Sequence, residues 1–181
     1  REGSLEQLQA MSKKNVFEVI EIPAHEIEEI NISSTKIRKA LSVGDVETAN
    51  LFLNEAYELS GTVVQGKQLG RTIGFPTANL RLDDPLKLVP KTGVYAVRAR
   101  LQNQQSVNGM MNIGFKPSVS SGDVLTCEIH LFDFNNDIYE QKLSVSLLKR
   151  IRDEQRFSGI DELKKQIEND GEVIRSFMLS K

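Results

Sequence analysis

The sequence predicts a mainly β chain: a closed antiparallel barrel with a C-terminal helix, preceded by a shorter segment of helices around one strand. Three observations predict it. From about Glu58 onward, short stretches alternate apolar and polar residues at hairpin spacing, with no helical pattern between them. Turn signals, "NQQ" at 103–105 and "NND" at 135–137, separate some of these stretches. Near the end the period changes to helical, with Leu163, Ile167, Ile174 and Phe177 on one stripe.

Taken in order, "SLEQLQAM" starts at Ser4 with Gln7 three positions on, a capping-box pattern, and Leu5, Leu8 and Met11 recur at helical spacing. "VFEVIEI", residues 16–22, is β-rich and stops at Pro23. "SSTKIRKAL" predicts a short helix entered through hydroxyl residues and closed near Gly44, after which Asp45 can cap a second helix through "VETANLFL". One strand is too little for a stable α/β sheet, so residues 1–57 read as the end of a larger domain. Residues 58–181 read as the barrel and its helix. "ELSGTVVQ" is strand-like. "GVYAVRARL" places Tyr95, Val97, Ala99 and Leu101 on one face, and "SVNGMMNI" is its return strand. "VLTCEIHLF" does the same with Leu125, Cys127, Ile129 and Leu131, and "IYEQKLSVSLL" with Tyr139, Leu143, Val145 and Leu147. Ser158 and Asp161 offer a cap for the last helix, whose stripe should cover the barrel.

The 181 residues suffice for one ordinary domain, or a small one with an attachment. With 39 % hydrophobic and 27 % charged residues, the chain should bury a core and dissolve. A net charge of −2 argues against bulk electrostatic binding of nucleic acid but allows a local cationic pocket for a small anion. Cys127 is the sole cysteine, so no disulfide forms within the chain, which fits a reducing compartment. No apolar run approaches the ~20 residues a membrane span needs, and the start does not resemble a signal peptide. A soluble, cytoplasmic chain without membrane or nucleic-acid partners is expected; the oligomeric state is not legible.

"GKQLGRTIGFPTANL", residues 66–80, is the stretch richest in chemistry. Just before it, "GTVVQGK" matches seven positions of a P-loop, but Gln68 stands where the metal-binding hydroxyl belongs. Its interior is β-branched and no helix signal follows, so that motif is rejected. Gly66, Gly70 and Gly74 let backbone N–H groups approach an anion, with Lys67 and Arg71 beside them and Pro76 stiffening the next turn. If "PTANL" is extended, Thr77 and Asn79 project to one side, and a hydroxyl with an amide oxygen suits Mg²⁺ that borrows further ligands from substrate phosphates. Composition alone favours the plainer alternative, a barrel loop satisfying its own backbone.

Glu128 lies on the face opposite Leu125, Cys127, Ile129 and Leu131, with Thr126 and His130 as face-mates. A strand carboxylate beside a site can take a proton from an attacking hydroxyl; the alternative is a solvated outer-face residue. His130 reads as a packing or hydrogen-bonding residue, since no second histidine is near. "IRDEQRF", residues 151–157, either stacks an aromatic and two arginines on a planar ligand, or plugs helix to barrel with Phe157 while Arg152 pairs with Glu154. The residues leave these two balanced.

In their order, "GRTIGFPTANL", "GVYAV", "NIGFKPSV", "CEIHLFDFNNDIY" and "IRDEQRF" resemble the riboflavin kinases, over roughly residues 58–181. The match is similar to the kinase module of bacterial bifunctional riboflavin kinase/FAD synthetases. The first half resembles the end of their FMN adenylyltransferase domain, a truncated α/β nucleotidyltransferase remnant. There "ISSTKIRKAL" resembles a phosphate-binding motif, and the hydroxyls and free N–H groups of a helix start, Ser34 and Thr35 with Arg38, favour an anion. The alternative there is a plain N-cap. The resemblance implies a six-stranded barrel and transfer of phosphate from ATP to riboflavin, giving FMN. It implies that Thr77 and Asn79 hold the Mg²⁺ of MgATP, that Gly66, Lys67, Gly70, Arg71 and Pro76 line the ATP phosphate loop, and that Glu128 is the base. It places Arg152, Glu154 and Phe157 in the flavin-side loop. It also implies that this chain stops at FMN, FAD formation being expected of the full-length protein. The rivals are a non-catalytic flavin-binding barrel and a small-barrel nucleic-acid binder. Two departures stand out. "KPS" at 116–118 replaces the family's common Arg-Pro-Thr. Tyr139-Glu140 replaces Tyr-Gly, so if that glycine bends the strand, this chain should bend differently.

Overall fold

The computed structural model describes residues 5–13, 17–20, 26–27, 30–66, 69–118 and 122–180. The chain divides into two compact units, residues 1–32 and 33–181. The first contains α1 (Leu5–Ser12), formed where the apolar spacing predicts it, and a pairing of β1 (Glu26–Ile27) with β2 (Ile30–Asn31). Ser4, the expected cap of α1, lies outside the described residues. The strand expected over residues 16–22 is not seen in its described part, since residues 17–20 have no regular structure. A β-rich run needs a hydrogen-bonded neighbour, and among the described residues none pairs with it. Strands β1 and β2, two residues each, are too short to leave an alternation that could be read.

The second unit opens with two short helices, as expected. In α2 (Ser34–Val43), Ser33 is the cap, its hydroxyl accepting from the Lys36 N–H at 3.3 Å, and Gly44 ends the helix at φ 84°. In α3 (Val46–Leu53), Asp45 accepts from the Thr48 N–H at 3.0 Å. Ala40, Leu41, Val46 and Ala49 are buried in the same core as the barrel interior. Asn50 ties helix to barrel: its amide donates to the Leu147 carbonyl at 2.8 Å and accepts from the Tyr57 N–H at 2.7 Å.

The barrel comprises β3 (Tyr57–Val64), β4 (Ala78–Leu82), β5 (Gly93–Arg100), β6 (Ser106–Ser118), β7 (Gly122–Leu131) and β8 (Lys142–Arg152). The order β3-β4-β7-β6-β5-β8 closes through β3 on β8, and every pairing is antiparallel. Closure leaves no free sheet edge. Leu59, Val63, Tyr95, Val97, Ile113, Ile129, Val145 and Leu147 fill the interior, following the alternation in the sequence. Cys127 joins them, and burial pushes its thiol up to about 11, so it stays protonated and unreactive at neutral pH.

Leu125 and Tyr139 depart from the expected pattern. Leu125 is exposed because the β6–β7 hairpin runs on beyond the barrel, where Phe115 across the ladder is exposed too. Tyr139 precedes β8 and packs on the core from a loop. The bend beside it also differs from expectation. Glu140 takes φ 61°, a left-handed conformation in which glycine is unstrained, and its N–H reaches the Val63 carbonyl at 2.9 Å. The chain therefore keeps a glycine-like bend with a strained residue. Glu140→Gly is expected to stabilise the protein by roughly 0.5–1 kcal/mol. Urea unfolding checks this, and an unchanged or lower midpoint would count against strain at Glu140.

Helix α5 (Ile160–Leu179) lies on the outer face of the barrel. Ile174 is fully buried against Val94, Ala96, Met110 and Phe132, with Ile167 and Phe177 alongside. Burying Ile174 contributes on the order of 1.5–3 kcal/mol. The cap is not the expected Ser158 or Asp161. Gly159 holds the N-cap position, and the N–H and hydroxyl of Ser158 both donate to the Glu162 carboxylate, at 2.9 and 2.7 Å.

Candidate active site

Strand register builds the site. Asn79 on β4 lies directly opposite Glu128 on β7, Glu128 opposite Asn112 on β6, Asn112 opposite Val94 on β5, and Val94 opposite Arg152 on β8. Directly paired residues share a face. A row that is polar except for the buried Val94 therefore crosses the outside of the barrel, beside α5. It brings together Asn79, Glu128 and Arg152, which the sequence singles out separately.

Two cavities lie here, the first along this row and the second meeting it at Thr77, just before β4. One, of about 510 Å³, is lined by Ile73, Phe75, Thr77, Val94, Met110, Asn112, Lys116, Glu128, His130, Arg152, Glu154, Phe157, Leu163 and Ile167, among others. The other, of about 320 Å³, is lined by Arg71, Pro76, Thr77, Ala78 and the loop from Phe134 to Tyr139, among others. Thr77 lines both. The first combines aromatic and aliphatic walls with a carboxylate, and suits a planar ligand bearing a polar end. The second combines the Arg71 guanidinium with the Asn135 and Asn136 amides and the Asp137 carboxylate, and suits a polar ligand.

The glycine-rich stretch divides between them. The β-branched Thr62, Val63 and Val64 just before it lie in β3, so the P-loop reading fails, although a four-residue helix, α4 (Leu69–Thr72), does follow. Gly70 lines the larger cavity, and Arg71 and Pro76 line the smaller. Lys67 lies outside the described residues. A Cβ at Gly66 would come within 2.1 Å of the Asn79 amide nitrogen, so only glycine lets that amide lie against the backbone. The His130 ring holds the stretch to β7. Its Nδ1 bonds the Pro76 carbonyl at 2.8 Å, and Phe75 and Phe132 meet it edge-on at 5.4 and 5.8 Å. The hydrogen-bonding reading of His130 is the one seen.

Glu128 is half-buried and forms an ion pair with Lys116. Lys116 reaches it along β6 past Gly114. Arg152 does not pair with Glu154. Its Nε and Nη2 grip the Asp170 carboxylate of α5 at 2.7–3.0 Å, Gln166 also donates to Asp170 at 2.8 Å, and the guanidinium stands 5.9 Å from the Phe157 ring centre. Glu154 instead lies against Gly114, where an added Cβ would meet its Oε1 at 2.0 Å. Asp153, at the start of the same loop, accepts from Arg150 at 2.7 Å and pairs with Lys91 at 3.0 Å. Those cations, Arg150 first, hold its carboxyl down at about 2. This anchor is present above the ordinary carboxylate range and is lost only as pH falls through about 2.

Among the described residues no cluster of three or more His, Cys, Asp or Glu side chains could hold a metal by itself. Thr77, just before β4, carries a hydroxyl, and Asn79, within β4, an amide, and Asn79 stands across from Glu128 in the ladder. An oxygen pair of this kind has the chemistry of a hard divalent cation that completes its shell from a bound phosphate. Ser34, Thr35 and Arg38 lie on the exposed first turns of α2, and the capping oxygen comes from Ser33.

Sequence reasoning missed Asp170, the Lys116 partnership and the 134–139 loop. A lone aspartate within the apolar half of α5 is a signal that could have flagged Asp170. Nothing local marks Lys116.

A family model described as flavokinase, riboflavin kinase, matches residues 53–178. The bifunctional riboflavin kinase/FMN adenylyltransferase of Haemophilus influenzae is 42 % identical over 180 residues, 99 % of this chain and 58 % of that protein. That of Bacillus subtilis is 48 % identical over 149 residues, 81 % of this chain and 46 % of that protein. A crystal structure of a Streptococcus pneumoniae protein described as macrolide-efflux superposes with a TM-score of 0.82 at 39 % identity, over 92 % of this chain and 54 % of that one. Among the described residues no helix is long and apolar enough to cross a membrane. The chain spans about half the length of the curated relatives it matches. The matched region contains the barrel, both cavities and α5 up to its last residue, and by it this chain belongs to the riboflavin kinase family.

Proposed function

We propose that the chain transfers the terminal phosphoryl group of ATP to the primary hydroxyl of riboflavin, giving FMN and ADP. The observation that carries this reading is Thr77 lining both cavities while Glu128 and Asn79 face each other across β7 and β4. The larger cavity takes the flavin ring between Phe75, Phe157 and the aliphatic wall, and presents the ribityl chain to Glu128. The smaller takes the nucleotide, with Arg71 near the phosphates. Glu128 accepts the hydroxyl proton as that oxygen forms its bond to phosphorus and the bond to ADP breaks. Thr77 and Asn79 would hold Mg²⁺, which supplies charge neutralisation on the phosphates when bound. The rest of catalysis is alignment of the two substrates.

The test is to mix the chain with riboflavin and MgATP and separate the flavins by chromatography. FMN should form only when ATP and a divalent metal are both present. Flavin bound but unchanged under these conditions would leave a binding barrel instead. Asn79→Ala should raise KM for MgATP about tenfold or more, the scale of one lost bond to a charged group, and leave riboflavin affinity nearly unchanged. An equal loss for both ligands would mean that the substitution had only damaged the barrel.

For residues 1–57 the reading is a segment of FMN adenylyltransferase, with Ser34, Thr35 and Arg38 as its phosphate contacts. It rests on the resemblance and on the anion preference of a helix start. The whole protein is then bifunctional, also converting FMN to FAD. Incubating it with FMN and MgATP, and looking for FAD, tests that second activity.

A further inference from the structure

Lys116 is paired at rest with the residue that must act as base. We propose that Lys116 is itself catalytic: its ammonium leaves Glu128 when ATP arrives and binds a non-bridging oxygen of the terminal phosphoryl group. This rests on the kinase reading above and adds a residue to it. Three observations carry it. First, the Glu128 carboxylate is ion-paired with the Lys116 ammonium, while its backbone stands across from Asn79, the residue placed toward the metal. The ammonium therefore sits beside the point where phosphoryl transfer must occur. Second, among the described residues, Arg152, the other arginine or lysine lining this cavity, is held by Asp170 on α5 and cannot swing to a phosphate without undoing that pair. Arg71 lines the other cavity. Third, the Lys116 side chain is 41 % exposed, so it can reorient at little cost in packing. A compact ammonium on a flexible stem suits such movement better than a guanidinium fork.

The exchange gives the site an order of events. Without ATP, the carboxylate is occupied by a cation and is a poor acceptor for the ribityl hydroxyl. With ATP, the ammonium moves to the phosphoryl oxygens, where negative charge must be met through transfer, and the carboxylate becomes free. The hydroxyl O–H bond then breaks toward Glu128, the oxygen bonds to the terminal phosphorus, and ADP leaves with the electron pair of the broken P–O bond. Lys116 keeps its proton throughout.

The experiment compares wild type, Lys116→Met and Lys116→Arg. Binding is read by calorimetry with a non-hydrolysable ATP analogue and with ADP, both with Mg²⁺, and turnover is read as FMN formed. Lys116→Met should weaken the ATP analogue about tenfold and leave ADP unchanged, because only the terminal phosphoryl is met by the ammonium. It should also lower kcat on the order of a hundredfold with riboflavin KM nearly constant. Lys116→Arg should recover most of both. Equal weakening of ADP and the ATP analogue, or normal kcat in Lys116→Met, would overturn the proposal. If Lys116→Met fails to fold, Lys116→Gln is judged by the same ADP comparison. A wild-type chain that makes no FMN at all would instead defeat the kinase reading, so the two failures are distinct.

Discussion

Glu128→Gln should keep the fold and the flavin affinity but lower turnover on the order of 10²–10⁴-fold, the usual consequence of losing a general base. The substitution preserves shape and leaves a hydrogen-bonding group on the strand row between Asn79 and Asn112, so binding of the flavin ring on the aromatic and aliphatic walls, as proposed above, has no reason to change. It also releases Lys116 from its ion pair. Nucleotide binding should therefore hold or strengthen while the chemical step fails. Single-turnover measurement with both substrates saturating separates these effects. Near-normal turnover would remove Glu128 from the role of base, whatever the resemblance implies.

Asp170→Ala should cost about 3 kcal/mol of stability, a large part of what a domain of this size possesses. Asp170 is 2 % exposed and accepts three bonds from Arg152 as well as one from Gln166. Its loss leaves a guanidinium, itself only 16 % exposed on its side chain, without its partner at the seam between β8 and α5. The remaining groups cannot satisfy it, because its Nη1 already donates to the Asp153 carbonyl and Glu154 is turned toward Gly114. Urea unfolding gives the magnitude. Replacing both partners with apolar residues, Arg152→Met with Asp170→Leu, should recover much of the loss, since the cost arises from an unpaired buried charge. An Asp170→Ala protein with an unchanged midpoint would mean that water already reaches Arg152. Riboflavin KM should rise in the single variant, because Arg152 also stands near Phe157 in the cavity proposed for the flavin.

The elements that were legible have a local cause. Ser33, Gly44 and Asp45 delimit two helices because caps act within a few residues of themselves. Tyr95, Val97, Cys127, Ile129, Val145 and Leu147 point inward because period-two alternation is written along each strand. The β-rich run at residues 16–22 misled for a matching reason: propensity expresses fit to a sheet and cannot supply the neighbouring strand. Leu125 misled because alternation continues in a hairpin that has left the barrel behind.

Motif order by itself determined the family, and periodicity determined the barrel and its covering helix; the base and the metal pair are what the resemblance implies. Only the tertiary structure decided which side chains meet. Lys116 pairs with Glu128 twelve positions away, and Arg152 chooses Asp170, eighteen positions away, over its near neighbour Glu154. Both choices follow from register and helix placement, which are set by the summed burial of Ile174, Met110, Phe132 and their neighbours rather than by any signal near the charged residues. A charge in a sequence carries no address. Burial brings two strands and a helix to one seam, and the expense of leaving a charge unpaired there selects its partner.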